Sequence, residues 1–295
     1  MKSIVRQLSK EGKMKKWSTG IFTSIDEEGL GAGLDAVKEL GVKTVHLHAP
    51  TVANRTTDKM LEVRNEFAEA GIEITVVFVG FPEDDYTTPE TVKSTVGLVP
   101  AKLRMERLKE TLAIADYARD LGVDAIGMHL GFVPPDPQAL AFGEIVETTR
   151  KVCDHCASNS QFFHLETGQE TAQELAQFII AVNRPNLAVN FDPANMILYG
   201  AGNPLEALEI VGKFVRSVHC KDASYERMPG QHWAEDVSLG MGDVDMGAFL
   251  RKLHNLGYEG PLTIEREYSP DQAGDIQSAL ELLETLRAEI LGQNG

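Results

Sequence analysis

Cysteine is scarce in this 295-residue chain: the three present are too few, and odd in number, to build a disulfide framework, which fits a reducing cytoplasm. Cys153 and Cys156 form a Cys-x-x-Cys pair around His155, but no second pair completes a structural zinc site, so both read as ordinary helix residues. Positive charge is short as well. The 28 Lys and Arg stand against 44 Asp and Glu, a formal net charge of -16. Such a surface repels polyphosphate at long range and argues against nucleic acid or an anionic membrane as a partner. No run approaches the roughly 20 apolar residues a membrane helix requires. The basic residues that gather at the amino end (Lys2, Arg6, Lys10, Lys13, Lys15 and Lys16) are followed by no apolar stretch of signal-peptide length and read as a solvated arm over residues 1–16. No low-complexity linker or compositional break divides residues 17–295, which are therefore read as one domain. At 43% hydrophobic and 24% charged, the chain has the balance of a globular protein able to bury a sizeable core.

What is present is a repeated unit. Short β-branched runs alternate with longer amphipathic stretches that tend to close on Gly, the pattern of parallel strands joined by crossover helices. Strands are expected over residues 18–25, 44–49, 73–80, 125–131, 161–167, 187–192, 215–222 and 261–267. Eight such units, in a chain not far above the roughly 250 residues usual for the architecture, predict a single (β/α)8 barrel. Two connections are long, residues 81–100 and 223–242. Both follow strands and so belong on the C-terminal face, where barrel enzymes carry their chemistry. They are candidate lids or oligomer contacts, and their Thr, Pro and Gly content predicts irregular backbone.

A barrel strand buried on both sides should be a nearly continuous apolar run. Four strands break that rule at their carboxyl ends. FFHLETG carries His164 and Glu166, AVNFDPAN carries Asn190 and Asp192, RSVHCKD carries Ser217, His219 and Lys221, and LTIERE carries Thr263, Glu265 and Glu267. Side chains alternate with period two, so the members of each set share a face. If Asp192 and His219 face the barrel axis, Cys220 faces the helices and is a packing residue. Strands five to eight then deliver Glu166, Asp192, His219 and Glu265 at one height. Three carboxylates crowded together repel one another and raise at least one pKa unless a cation compensates. One divalent ion is the economical account, and carboxylate oxygens with one imidazole suit Mn²⁺ first, or Mg²⁺, Co²⁺ or Zn²⁺. Any one of the four taken alone is equally well explained as a buried group paired with a Lys or Arg; it is four in phase that point to a metal. His48 in HLHAP and His129 in GMHLG end their strands, placed either to hydrogen-bond a substrate hydroxyl or to rest as satisfied interior histidines.

At these residues the chain resembles the xylose isomerase-like TIM-barrel superfamily, the sugar isomerases and epimerases that also include inosose dehydratases and apurinic endonucleases. The resemblance runs from about Trp17 to Leu291 and is most specific in HLETG, NFDPAN, VHCKD and LGMGDVDMGAFLRKLHNLGYEGPLTIERE. It implies the same four metal ligands. Ketose epimerases of the family carry an Asp-x-x-His motif that contacts substrate; here Asn195 stands at the fourth position. The endonucleases carry further histidines, including an Asp-x-His element where this chain reads AEDVSLGMG, so their trinuclear site cannot be assembled. His219-x-Lys221-Asp222 is similar to the His-x-Lys-Asp element of the inosose dehydratase-like branch. That similarity implies that Lys221 orients a substrate oxygen or shuttles a proton, the alternative being a rim ion pair with Asp222 or Glu265.

The resulting expectation is a divalent-metal-dependent isomerase or epimerase of a small sugar or related polyol-ketone, working through a metal-stabilised enediolate. Glu166 and Glu265 would remove and return the proton from opposite sides. A dehydratase or other carbon–oxygen lyase shares every group up to that intermediate and is the alternative. A partner-binding subunit with a vestigial site is disfavoured by the four intact ligands. No Gly-rich cradle follows the seventh or eighth strand, which favours an unphosphorylated substrate. Long loops on the catalytic face are suited to contacts in a homo-oligomer.

Overall fold

The computed structural model describes residues 16–26, 34–225, 234–267 and 269–292. Ten strands appear among them in chain order: β1 (Thr19–Thr23), β2 (Thr44–His48), β3 (Glu73–Val79), β4 (Ala125–Met128), β5 (Phe162–Glu166), β6 (Leu187–Phe191), β7 (Val215–Cys220), β8 (Asp222–Ser224), β9 (Glu235–Val237) and β10 (Leu262–Ile264). Eight of them close a parallel barrel in the order β1-β10-β7-β6-β5-β4-β3-β2, while β8 and β9 pair antiparallel outside it. The expected (β/α)8 barrel is thus the observed one, each strand falling within its expected range.

Ten α-helices lie among the described residues: α1 (Leu34–Leu40), α2 (Thr57–Ala70), α3 (Pro89–Thr95), α4 (Arg104–Leu121), α5 (Leu140–Ser158), α6 (Ala172–Val182), α7 (Pro193–Leu198), α8 (Pro204–Val211), α9 (Met246–Asn255) and α10 (Gln272–Leu291). None is long and apolar enough to cross a membrane. Local chemistry sets their ends. α6 opens on a capping box in which Thr171 and Glu174 each bond the other's backbone N–H, and α2 and α4 stop at Gly71 and Gly122, both left-handed.

The larger apolar core lies between strands and helices, where Val45, Met128, Val189 and Val218 meet Ile114, Phe178 and Phe249. Fully burying a side chain of this size stabilises by about 1.5–3 kcal/mol. Cys220 belongs to this outer core, wholly buried, as parity requires. Inside the barrel the apolar cluster is small: Val76, Phe78 and Ala125, with Phe22 and Phe162 packed against it.

The long connections are more ordered than their composition predicts. In 81–100, Thr88 and Thr91 form a capping box that starts α3. Two buried arginines hold the rest: Arg104 donates to the carbonyls of Leu98 (2.9 Å) and Val99 (2.7 Å), and Arg107 donates to that of Gly97 (2.8 Å) while pairing with Asp84 at 3.0 Å. Gly97, at φ 71°, sits so close to the Leu130 carbonyl that a Cβ would lie 2.2 Å from it. In 223–242 part of the irregular backbone is replaced by strand, β8 at its start pairing antiparallel with β9, while 238–242 stays irregular; residues 226–233 lie outside the described residues. Asp222 ties this connection down, accepting from the N–H groups of Ala223, Gly240, Gly242 and Val244 at 2.9–3.0 Å. Of the expected arm over residues 1–16, all but Lys16 falls outside the described residues.

Candidate functional site

The barrel lifts four side chains to one level. Glu166 ends β5, Asp192 follows β6, His219 lies on β7, and Glu265 follows β10. The register brings Glu166 opposite Asn190 and Thr263 opposite His219, so the strand ends stay level across the sheet. One ligand atom from each of Glu166, Asp192, His219 and Glu265 lies within 4.8 Å of the others. The centre of the group is His219 Nδ1, which is 2.6 Å from Glu166 Oε1, 3.3 Å from Glu265 Oε2 and 4.0 Å from Asp192 Oδ2.

Asp192 is held twice. It is the N-cap of α7, where its Oδ1 accepts from the N–H groups of Ala194 (2.8 Å) and Asn195 (3.2 Å). Its Oδ2 is buried with no hydrogen-bond partner. A carboxylate oxygen in that state is costly unless something compensates it, and it faces the three other ligand atoms. Three carboxylates, one imidazole, no thiolate and an orphaned buried oxygen are a donor set that fits a hard or borderline divalent cation.

The electrostatics carry the same strain. Burial, reinforced by Glu265 and Glu166 against Lys221, holds the Asp192 carboxyl well above its usual range. Burial would lower His219, but Glu265 and Glu166 outweigh it and raise the imidazole well above its ordinary value. Burial likewise opposes the charge on Glu265, yet Lys221 and His219 bring that carboxyl below the usual carboxylate range.

Lys221 is 3% exposed, with Nζ 3.2 Å from Glu265 Oε2 and 3.0 Å from Glu267 Oε2. It is therefore no exposed rim pair. Of its two expected partners Glu265 is one and Asp222 is not, because the Asp222 carboxylate is spent on the backbone N–H groups of its own loop. Glu267 is the second. Burial weighs against the Lys221 charge, but Glu265, Glu267 and Asp192 more than offset it and raise the pKa well above the usual value.

His129 is buried at the mouth, its ring stacked on Tyr199 (5.7 Å between centroids) and met edge-on by Tyr86 (5.8 Å). Its Nδ1 has no partner. His48 is half-buried, its ring 6.3 Å from that of Phe22. Burial lowers both imidazoles, against Glu166 at His129 and Asp26 at His48, so both are neutral near pH 7. Asn195 is brought beside Asp192, but its amide donates to the Thr167 carbonyl at 3.1 Å, bracing the loop after β5. Beneath the four ligands, Ser217 Oγ lies 2.8 Å from His164 Nδ1 and donates to Asn190 Oδ1 at 2.7 Å. These are the inward companions that parity pairs with Glu166, Asp192 and His219.

Sequence reasoning did not single out Tyr86, Tyr199 or His46. The tyrosines lie in connections, where no periodicity marks them; Tyr86 is 41% exposed, whereas burial raises the hydroxyl pKa of Tyr199, with Glu267 and Glu166 near enough to add to the effect. His46 was legible, since it shares a face with His48 on β2. Its Nδ1 lies 3.0 Å from His219 Nε2.

A family model described as a xylose isomerase-like TIM barrel matches residues 34–286. The chain is similar to a xylose isomerase domain protein from Planctomyces limnophilus, with 47% identity, a TM-score of 0.90, and 94% of this chain and 99% of that one covered. A D-tagatose 3-epimerase-like protein shares the fold at 18% identity and a TM-score of 0.70, covering 94% of this chain and 100% of that one. Among curated proteins, a 3-dehydroshikimate dehydratase from Pseudomonas putida is 27% identical over 176 residues, 55% of this chain and 27% of that protein. The chain spans between 27% and 65% of the length of the curated relatives it matches.

Proposed function

Because the chain belongs to the xylose isomerase-like TIM-barrel family, we propose that it is a divalent-metal-dependent isomerase or epimerase of a small sugar or related polyol-ketone. The observation that carries this reading is the convergence of Glu166, Asp192, His219 and Glu265 within 4.8 Å, with the buried Asp192 Oδ2 left without a partner. These four residues would hold the ion, Mn²⁺ first among the candidates. A divalent ion bound there supplies Lewis acidity to polarise a substrate carbonyl.

The chain's own groups do the rest. Glu166 and Glu265, which both approach His219 Nδ1, are the groups that take and return a proton at the carbon beside the carbonyl. Glu265, kept ionised by Lys221 and His219, is available as a proton acceptor at neutral pH. Lys221 presents a buried ammonium held by two carboxylates and orients a substrate oxygen. His129, neutral and with Nδ1 unpartnered, contacts a hydroxyl, while Tyr199 stacked on its ring covers that side of it.

A dehydratase using the same groups is the second reading. Lys221 favours it, since an ammonium buried beside the proton acceptor is placed to hydrogen-bond a departing hydroxyl. It is also supported by the likeness to a dehydratase over part of the chain.

The test is a panel of ketoses, inososes and 3-keto-sugars assayed with Mn²⁺, after chelation, and after Mn²⁺ is restored. Chelation is expected to abolish turnover and re-addition to recover it. A product of unchanged mass supports the isomerase or epimerase reading, and loss of one water the dehydratase. Full activity after exhaustive chelation, with no metal detected by mass spectrometry, would overturn both.

A further inference from the structure

His219 has two ring nitrogens, and the barrel gives each a different neighbourhood. Nδ1 faces Glu166 Oε1, Glu265 Oε2 and Asp192 Oδ2. Nε2 faces away from that group and meets His46 Nδ1 at 3.0 Å. The ring itself is boxed in by Phe78 (4.9 Å between centroids), His46 (5.1 Å) and Phe22 (5.6 Å). It therefore cannot exchange its two nitrogens by flipping without displacing that box.

An imidazole ligates a metal through a bare nitrogen, and the partner of the other nitrogen decides which one is bare. For Nδ1 to offer its lone pair, the His219 proton must sit on Nε2. That proton has His46 Nδ1 as its acceptor. Were His46 the donor in this pair, the His219 proton would move to Nδ1 and the ligand would be lost. We infer that His46 is a positioning residue that accepts the Nε2 proton of His219 and so keeps Nδ1 bare towards the ion.

The local structure shows what this arrangement costs and how it is held. With Nδ1 accepting, His46 carries its own proton on Nε2, which is buried and has no partner. An unpaired buried donor is retained only where something else requires it. The His46 ring lies against Phe78, 5.3 Å between centroids and 27° between planes. The pairing of β2 with β3 shifts register between Val45 and His46, and such irregularities re-aim a side chain beside a site. A histidine serving only to fill the barrel needs neither the shift nor the imidazole contact.

The inference rests on the metal-binding reading above, and two variants separate them. His46→Phe keeps a ring against Phe78 and removes the acceptor; His46→Asn loses the ring and keeps an acceptor at the Nδ1 position. Metal-stripped parent and variants are titrated calorimetrically with Mn²⁺ alone, and their melting temperatures are compared without metal. We expect His46→Phe to bind Mn²⁺ about 10- to 100-fold more weakly, with His46→Asn within about threefold of the parent. In the zinc-loaded parent, ¹⁵N spectra should show His46 as the Nε2–H tautomer, a readout that survives if either variant fails to fold. Binding by His46→Phe at the parental level, an equal loss in both variants, or an Nδ1–H tautomer of His46 would overturn the inference while leaving the metal site standing. A parent that takes up no metal would overturn both.

Discussion

Strands β1 to β4 bring Phe22, His46, His48, Phe78 and, just past β4, His129 to the site, whereas β5, β6, β7 and β10 bring Glu166, Asp192, His219, Lys221, Glu265 and Glu267. The first half is aromatic and neutral, because burial lowers the pKa values of His46, His48 and His129. The second is charged on nearly every strand. The low-polarity half has a physical effect on the other: it removes water that would screen the carboxylates, so each charge across from it acts at greater strength. Four carboxylates, a lysine and a histidine are tolerable in such a place because they pair with one another and, on the proposed reading, with a cation.

The sharpest way to break this division is to neutralise the charged half at its proton carriers. Glu166→Gln and Glu265→Gln should each lower kcat by at least about 10³-fold with unchanged circular dichroism. Activity within tenfold of the parent would remove that residue from the mechanism.

Lys221 tests whether the charged half is more than a ligand set. Lys221→Met should lower kcat/KM about 10- to 150-fold with metal content unchanged. It should also lower stability by about 3 kcal/mol, since Glu265 and Glu267 lose a buried partner. A fall in melting temperature with kcat/KM intact would leave Lys221 a purely structural ion.

Glu170 lies just beyond β5, on the charged side, and burial pushes its carboxyl up to about 7 from a usual 4.5. A raised carboxyl contributes stability in full below about 4.5 and loses it as pH rises through about 7, by up to about 1.4 kcal/mol per pH unit. Urea midpoints of the parent should therefore decline between pH 5 and pH 7, and those of Glu170→Gln should decline less. Parallel curves would show that Glu170 does not cause the slope.

The smallest effect is expected from the neutral half. His129→Ala removes one hydrogen bond to an uncharged partner, about 1 kcal/mol, and should raise KM about fivefold with kcat within threefold. A large fall in kcat instead would give the neutral half a share in the chemistry and blur the division.

Much of the site was legible because a barrel strand is so constrained. On a strand that must be apolar on both faces, Glu166, Asp192, His219 and Glu265 stand out, and period two is enough to separate His219 and Lys221 from Cys220. The same rule places His46 with His48, though a histidine flanked by Val45 and Leu47 also reads as interior packing. Tyr86 and Tyr199 carry no such signal, since backbone in a connection has no fixed period. The order within residues 81–100 was hidden for a related reason. It depends on Arg104 and Arg107, which are read locally as polar positions of a helix but turn back to bond the carbonyls of the connection before it.

Local sequence, through side-chain alternation and helix-ending glycines, was sufficient for the eight units and the inward face of each strand, because both follow from geometry between near neighbours in the chain, and the closed barrel was expected from the number of units. Three matters were decided only in the folded molecule. Lys221 pairs with Glu265 and Glu267 rather than Asp222, Asp192 keeps one oxygen unpartnered, and His46 meets His219 across the barrel. Each depends on distances between residues far apart in sequence, and those are set by how the strands register around the closed sheet.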